Sequence, residues 1–224
     1  MKANHLKLAA AVAAMLACSA AANATTYTWN FQNADAGYPV WGTSHAFDTN
    51  PVASGNLITA YGFDTHGAAA ALYSKYTAGD PGETGLGLAT VDKEGDHELD
   101  AGSSVVFGLN TLLSHTYTLT LGSLQDYGTT APAENANIYE CTTLSCSVER
   151  LLGNIVGPPV RVSATYTLDA GYSFLKVLDQ PAGGGADVLI DSVSTTTSVP
   201  EPAAFLLLGM AFAGVGVLRR RRAA

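Results

Sequence analysis

The chain has 224 residues, 47% of them hydrophobic, and a formal net charge of −8. That length and apolar content suit one domain with a sizeable core. Eighteen of the nineteen acidic residues fall between Thr25 and Val199, against five basic ones (Lys75, Lys93, Arg150, Arg161 and Lys176), so this stretch carries −13. Such a surface lacks the basic footprint of a nucleic-acid or anionic-lipid binder and excludes both.

The chain opens with Lys2 and Lys7, an apolar run over Leu8–Ala17, and the small residues Ala22, Asn23 and Ala24. A positive start, a short apolar stretch and small residues before a cut define a secretory signal peptide. Residues 1–24 are therefore expected to leave, with Ala22 and Ala24 setting the cleavage and Thr25 opening the mature chain. Met15-Leu16-Ala17-Cys18 offers a lipoprotein alternative with Cys18 bearing the lipid, although Met15 stands where that pattern places leucine.

Beyond Thr25 helical periodicity is nearly absent. Short alternating, β-branched and aromatic runs recur instead, broken by Gly, Asp, Asn and Pro. They are Thr26–Phe31, Leu57–Phe63, Ser103–Leu109, His115–Leu121, Ala164–Leu168, Tyr172–Leu178 and Val188–Thr195. Tyr27, Trp29 and Phe31 share one parity and are expected on an inward face. Tyr38 and Trp41, beside Pro39 and Gly42 in a predicted turn, are the candidates for stacking on a sugar ring. Ala68–Leu72 is the one stretch whose alanines lean toward helix. Gly183-Gly184-Gly185 reads as a hairpin turn between the last two strands. Eight to ten such strands predict an all-β domain over 25–197, an antiparallel β-sandwich with the jelly roll among its forms.

Asp92, Glu94, Asp96, Glu98 and Asp100 fall on alternate positions, so an extended chain would bring all five to one face. Oxygen-rich sets of this kind suit Ca²⁺, although Gly95 comes two places too early for an EF-hand loop. Neighbours about 7 Å apart repel by only ~0.6 kcal/mol in water. An exposed loop holds that charge unaided, and a partly buried one needs a cation; at this point both a solvated loop and a Ca²⁺ site stand. His45, His66, His97 and His115 are scattered, with no G-x-S-x-G or H-E-x-x-H motif. Glu98 and Asp100 could form a glycosidase-type pair, but so acidic a surface offers many such pairs, and no enzyme is expected.

Cys141 and Cys146 are the cysteines left once Cys18 departs. C-x4-C lacks the second pair of a zinc site and is wider than a redox C-x-x-C. A disulfide closing Thr142–Ser145, between the strand-like Ala136–Glu140 and Val148–Leu152, is expected in an oxidising compartment.

The chain ends with Pro200, Glu201 and Pro202, then the uncharged Ala203–Leu218, then Arg219, Arg220, Arg221 and Arg222. A helix over 203–218 spans roughly 24 Å, short of the ~30 Å hydrocarbon layer. Snorkelling arginines close the gap and fix the cytoplasmic side. This three-part pattern resembles the PEP-CTERM sorting signal of Gram-negative bacteria, over 198–224. The resemblance implies processing by an exosortase, a membrane-embedded enzyme resembling cysteine transpeptidases, after transient contact with the inner membrane. It also implies a product at the cell surface or in the extracellular matrix of bacteria that make exopolysaccharide and biofilms.

Gly85-Leu86-Gly87-Leu88 followed by Asp96–Asp100, and Val188–Val193 near the end, resemble motifs of exported PEP-CTERM proteins, with Leu88 and Leu99 in place of the usual β-branched residues. That resemblance implies a β-sandwich and brings no catalytic residues. The expected function is a structural or adhesive matrix protein. A Ca²⁺-assisted carbohydrate-binding module is the second reading, and a secreted glycan-active hydrolase the third.

Overall fold

A computed structural model describes residues 23–31, 40–49, 56–76, 83–89, 97–109, 114–124, 133–158, 160–181 and 187–199. Thr26–Thr196 forms one compact unit, and Met1–Thr25 with Thr197–Ala224 forms another. The first holds the fold. All strands and all buried core residues among the described residues lie within 23–199.

Two antiparallel sheets face each other. The first runs β12 (Val162–Thr167), β9 (Thr116–Gly122), β14 (Leu189–Val199), β7 (Gly85–Leu88), β6 (Leu72–Lys75) and β2 (Val40–Gly42), with β1 (Asn23–Asn30) also paired to β14. The second runs β11 (Glu149–Val156), β10 (Asn135–Cys141), β13 (Phe174–Asp179), β8 (Ser104–Gly108), β4 (Ile58–Phe63) and β3 (Ser44–Phe47), with β5 (Ala69–Ala70) on β4. The all-β sandwich is thus as the alternation predicts, with fourteen strands among the described residues rather than eight to ten. The expected helix over 203–218 lies outside the described residues.

The core comes from one parity of each strand. Trp29 and Phe31 are buried, and Tyr27 packs against the same cluster, so the expected inward face of β1 holds. Trp29 hides its indole N–H by donating to the Asn56 carbonyl at 2.8 Å. Phe31 stacks with Phe107 at 5.5 Å and meets the edge of Phe47 at 4.8 Å. Such pairs add about 0.5–1.5 kcal/mol beyond their area. On β9, Tyr117, Leu119 and Leu121 point in, and the threonines between them point out. Those threonines pair across β12, Thr116 with Thr167 at 2.9 Å, Thr118 with Thr165 at 2.8 Å and Thr120 with Ser163 at 2.8 Å. The first sheet therefore presents a ladder of hydroxyls on its outside, each pair worth roughly 0.2–1 kcal/mol.

Two expectations need correction. Ala68–Leu72 is extended, not helical: Ala69 and Ala70 pair with Phe63 and Gly62 in β5, and β6 begins at Leu72. A Cβ on Gly62 would come within 2.5 Å of the Ala70 carbonyl oxygen, so the two backbones meet where only glycine fits. The tertiary approach overrides alanine's helix preference. The triple glycine 183–185 lies outside the described residues, but β13 and β14 stand in opposite sheets. Their connection crosses between sheets and is no hairpin.

Candidate functional site

The outer face of the second sheet carries aromatic and polar side chains on β4, β10 and β13. On β4 the core takes Ile58, Ala60 and Gly62, while Tyr61 and Phe63 point outward and stay partly exposed. Strand register lines up Tyr61, Val106, Lys176 and Tyr139 across β4, β8, β13 and β10. At ~4.8 Å per strand the two tyrosines sit roughly 14 Å apart. Phe174 occupies the neighbouring row, its ring 3.5 Å from the point where a Cβ on Gly108 would lie. Four aromatic side chains thus share one outward surface.

Polar groups thread this surface. Lys176 Nζ lies 5.4 Å from the Tyr139 ring centroid and donates to Glu149 Oε2 at 2.9 Å. Asn137 Nδ2 donates to the Tyr139 hydroxyl at 3.2 Å, and Asn154 Nδ2 donates to Asn137 Oδ1 at 2.9 Å. The chain of amides leaves the tyrosine O–H free to donate outward. Beside it lies a depression of about 190 Å³, lined by Phe63, Val106, Lys176 and the disulfide loop Leu144–Cys146. Cys141 and Cys146 are bonded as expected, with Cα atoms 4.9 Å apart. Glu149 lies within 4.8 Å of both sulfurs, but a disulfide leaves no thiolate for a metal.

A second polar cluster gathers around Lys75. Its ammonium bridges Glu83 Oε2 at 2.7 Å and the buried Glu98, while Ser123 Oγ donates to Glu83 Oε1 at 2.9 Å. Burial pushes the Glu98 carboxyl up to about 8 against the pull of Lys75, and Lys75 and Ser123 hold Glu83 below its ordinary value despite its own desolvation. Lys75 and Glu98 are both largely buried, at 17% and 3% side-chain exposure, which makes the cluster a packed lock more than an open site.

Of the acidic run, Asp92, Glu94 and Asp96 lie outside the described residues. His97 has φ of 67°, so the chain turns there and the strict alternation ends. Glu98 turns in to Lys75, and Asp100 opens a turn in which its carbonyl accepts the Ser103 amide at 2.8 Å. Glu98 and the Asp100 backbone thus have different partners, and the five-acid face depends on Asp92, Glu94 and Asp96, outside the described residues. Tyr38 is also outside the described residues. Trp41 is partly buried, its ring 4.0 Å from that of His45 and 5.9 Å from that of Phe47, and it leans on the core edge instead of standing free. Ala22, and Pro200 through Arg222, lie outside the described residues as well. Ala24 falls at the start of β1.

Sequence reasoning missed Tyr61, Phe63, Tyr139, Phe174 and Lys176. The signal was present on β4, where the smaller residues share the core parity and the aromatic ones the opposite parity. Without the register, that imbalance does not say which strands stand side by side.

The architecture defines an antiparallel β-sandwich with an aromatic outer face and no catalytic constellation among the described residues. Residues 198–222 match the PEP-CTERM protein-sorting motif, and the chain carries that sorting signal. No curated protein matches the chain. Among solved structures, a family 29 carbohydrate-binding module is 11% identical, with a TM-score of 0.34 over 79% of this chain and 90% of the other. The K2 cleaved adhesin domain of Lys-gingipain is 9% identical, with a TM-score of 0.38 over 76% and 98%. The K3 adhesin domain from Porphyromonas gingivalis w83 is 13% identical, with a TM-score of 0.35 over 78% and 99%. Likenesses at this level leave the function to be read from this chain's own residues.

Proposed function

We propose that this is an exported protein, delivered to the cell surface or extracellular matrix by an exosortase-type enzyme, whose sandwich over 25–197 holds polysaccharide without acting on it. The sorting half is supported by the motif over 198–222. In it Pro200, Glu201 and Pro202 are the recognition element, the apolar stretch pauses in the inner membrane, and Arg219–Arg222 mark its inner side. The binding half rests on one observation, the row of aromatic side chains on the outer face of the second sheet. The C–H face of a pyranose ring buries apolar area against such rings, and the nearby amides and hydroxyl give its rim hydrogen-bond partners. A domain charge of −13 repels acidic polysaccharides, so the fitting class is a neutral or amino-sugar glycan.

Calorimetric titration of residues 23–199 with neutral, amino-sugar and acidic polysaccharides tests the binding half. Tyr61→Ala and Tyr139→Ala should each weaken binding to the neutral or amino-sugar polymer about tenfold, or 1.4 kcal/mol. Unchanged binding in both variants, or no binding by the parent, would remove the reading. For sorting, Glu201→Gln should leave the fold intact and let the unprocessed precursor accumulate in cells that hold the processing enzyme. Normal maturation of that variant, followed by intact mass, would contradict the recognition role.

A further inference from the structure

An edge strand leaves a row of backbone N–H and C=O groups open to another chain, and folds blunt such edges by shortness, bulges or charge. Of the four strands that end the two sheet paths, three are blunted. β2 has three residues and a shift in register, β3 has four residues, and β11 is interrupted by a bulge where it passes Ile138 and Tyr139. β12 is different. It pairs without a break with β9 from Val162 to Thr167, and the Leu168 amide extends the pairing by donating to the His115 carbonyl at 2.8 Å. Among the described residues β9 is the one strand beside it. No residue from 162 to 168 is charged, in a domain whose net charge is −13, and none is proline.

β12 is also complementary to itself. An antiparallel copy related by a two-fold axis through Thr165 sets Thr165 opposite Thr165, Ser163 opposite Thr167, Ala164 opposite Tyr166 and Val162 opposite Leu168. Residues opposite each other point to the same face. On the outside hydroxyl meets hydroxyl, which prolongs the rows that Thr116, Thr118 and Thr120 already make with Thr167, Thr165 and Ser163. On the inside a small side chain meets a large one, and Val162, Ala164 and Tyr166 are only partly buried at this edge. At the strand ends Arg161 comes beside the copy's Asp169, and Asp169 beside the copy's Arg161. Each holds an ion pair within its own chain, Arg161 with Asp191 at 2.7 Å and Asp169 with Arg150 at 2.8 Å, and each keeps side-chain exposure, 35% and 61%, for a second.

The adjoining edge adds apolar area. Tyr166 reaches β11, its ring 3.0 Å from the point where a Cβ on Gly153 would lie. Of the seven large hydrophobic side chains exposed among the described residues, Val148, Leu151, Val156 and Val160 lie on β11 or just beside it in sequence. An edge about 25 Å long and two sheets deep covers on the order of 500 Å² per copy. Standard interfaces bury ~800 Å² per partner, so the contact is a weak one that needs the crowding of a surface or matrix.

We propose that β12 pairs with β12 of a second copy, antiparallel about a two-fold axis at Thr165, so that the first sheets of two sandwiches run on as one. The axis stands perpendicular to the sheets, and both second-sheet outer faces therefore turn the same way. On the polysaccharide reading above, on which this consequence rests, one long chain then meets two aromatic rows and gains avidity.

The test is disulfide trapping in the full chain, held in mild detergent, oxidised with copper phenanthroline and free of glycan, so that its failure leaves the polysaccharide reading standing. The chain is set at ~0.1 mM, where a Kd of ~0.1 mM pairs half of it. Thr165→Cys places two thiols on the axis and should give a linked dimer, read by non-reducing gel and intact mass. Thr118→Cys lies one strand further in, three strand spacings or ~14 Å from its mate. That exceeds the ~7 Å between Cα atoms that a disulfide tolerates, and the yield should be at least tenfold lower. Ser163→Cys and Thr167→Cys should each stay monomeric alone and cross-link when mixed, which fixes the register and serves should Thr165→Cys fail to fold. A folded Thr165→Cys chain that stays monomeric, equal trapping by Thr118→Cys, or no trapping in the mixture would overturn the pairing.

Discussion

Replacing Gly87 by alanine probes the closest backbone approach at any described glycine. An alanine Cβ at that position would lie 2.1 Å from the carbonyl oxygen of His97 and 3.0 Å from the Cα of Glu98. A carbon meets a carbonyl oxygen at about 3.3 Å at closest, so the overlap is roughly 1.2 Å and involves backbone on both sides. The His97 segment has little room to yield. Its residue already has φ of 67°, and its ring stacks on Tyr73 at 4.0 Å.

Moving that segment also pulls Glu98 from Lys75. Overpacking of this kind costs about 3 kcal/mol, or a Tm drop of ~6–12 °C for a domain of this size. Gly108→Ala is the matched control, since its Cβ would meet nothing nearer than 3.5 Å, and its Tm should stay within ~2 °C of the parent. Circular dichroism melts of both variants decide the matter. A Gly87→Ala protein as stable as Gly108→Ala would refute the argument that the second glycine of GLGL is there to admit the 97–98 backbone.

The buried acids set a pH dependence, measured by denaturant unfolding in EDTA. The folded state keeps the Glu98 proton up to about pH 8, whereas the unfolded chain releases it near 4.5, so stability falls as pH rises through that window by up to ~1.4 kcal/mol per pH unit. Asp179, raised to about 9, adds to the fall in the same direction. Glu98→Gln should flatten the slope by one proton, and an unchanged slope would show that Glu98 does not titrate there. Reducing the disulfide opens a short loop and should lower stability by about 2 kcal/mol. It should also weaken glycan binding, because Leu144–Cys146 lines the depression beside the aromatic row. Equal binding by oxidised and reduced protein would separate the loop from the site.

The sequence alone determined what depends on local pattern. HTYTLTL commits Tyr117, Leu119 and Leu121 to the core because strand parity is a property of adjacent residues, and a five-residue cysteine spacing closes its own loop. The PEP-CTERM tail is legible for the same reason, being a contiguous string. Only tertiary structure decided the rest. Ala69 and Ala70 are extended because Gly62 lets two backbones approach, and the last two long strands lie in opposite sheets despite the glycines between them. Tyr61 and Tyr139 share a face although 78 positions separate them in the chain. Register and sheet order are set by which apolar faces bury each other, a cooperative choice that no short window of sequence contains.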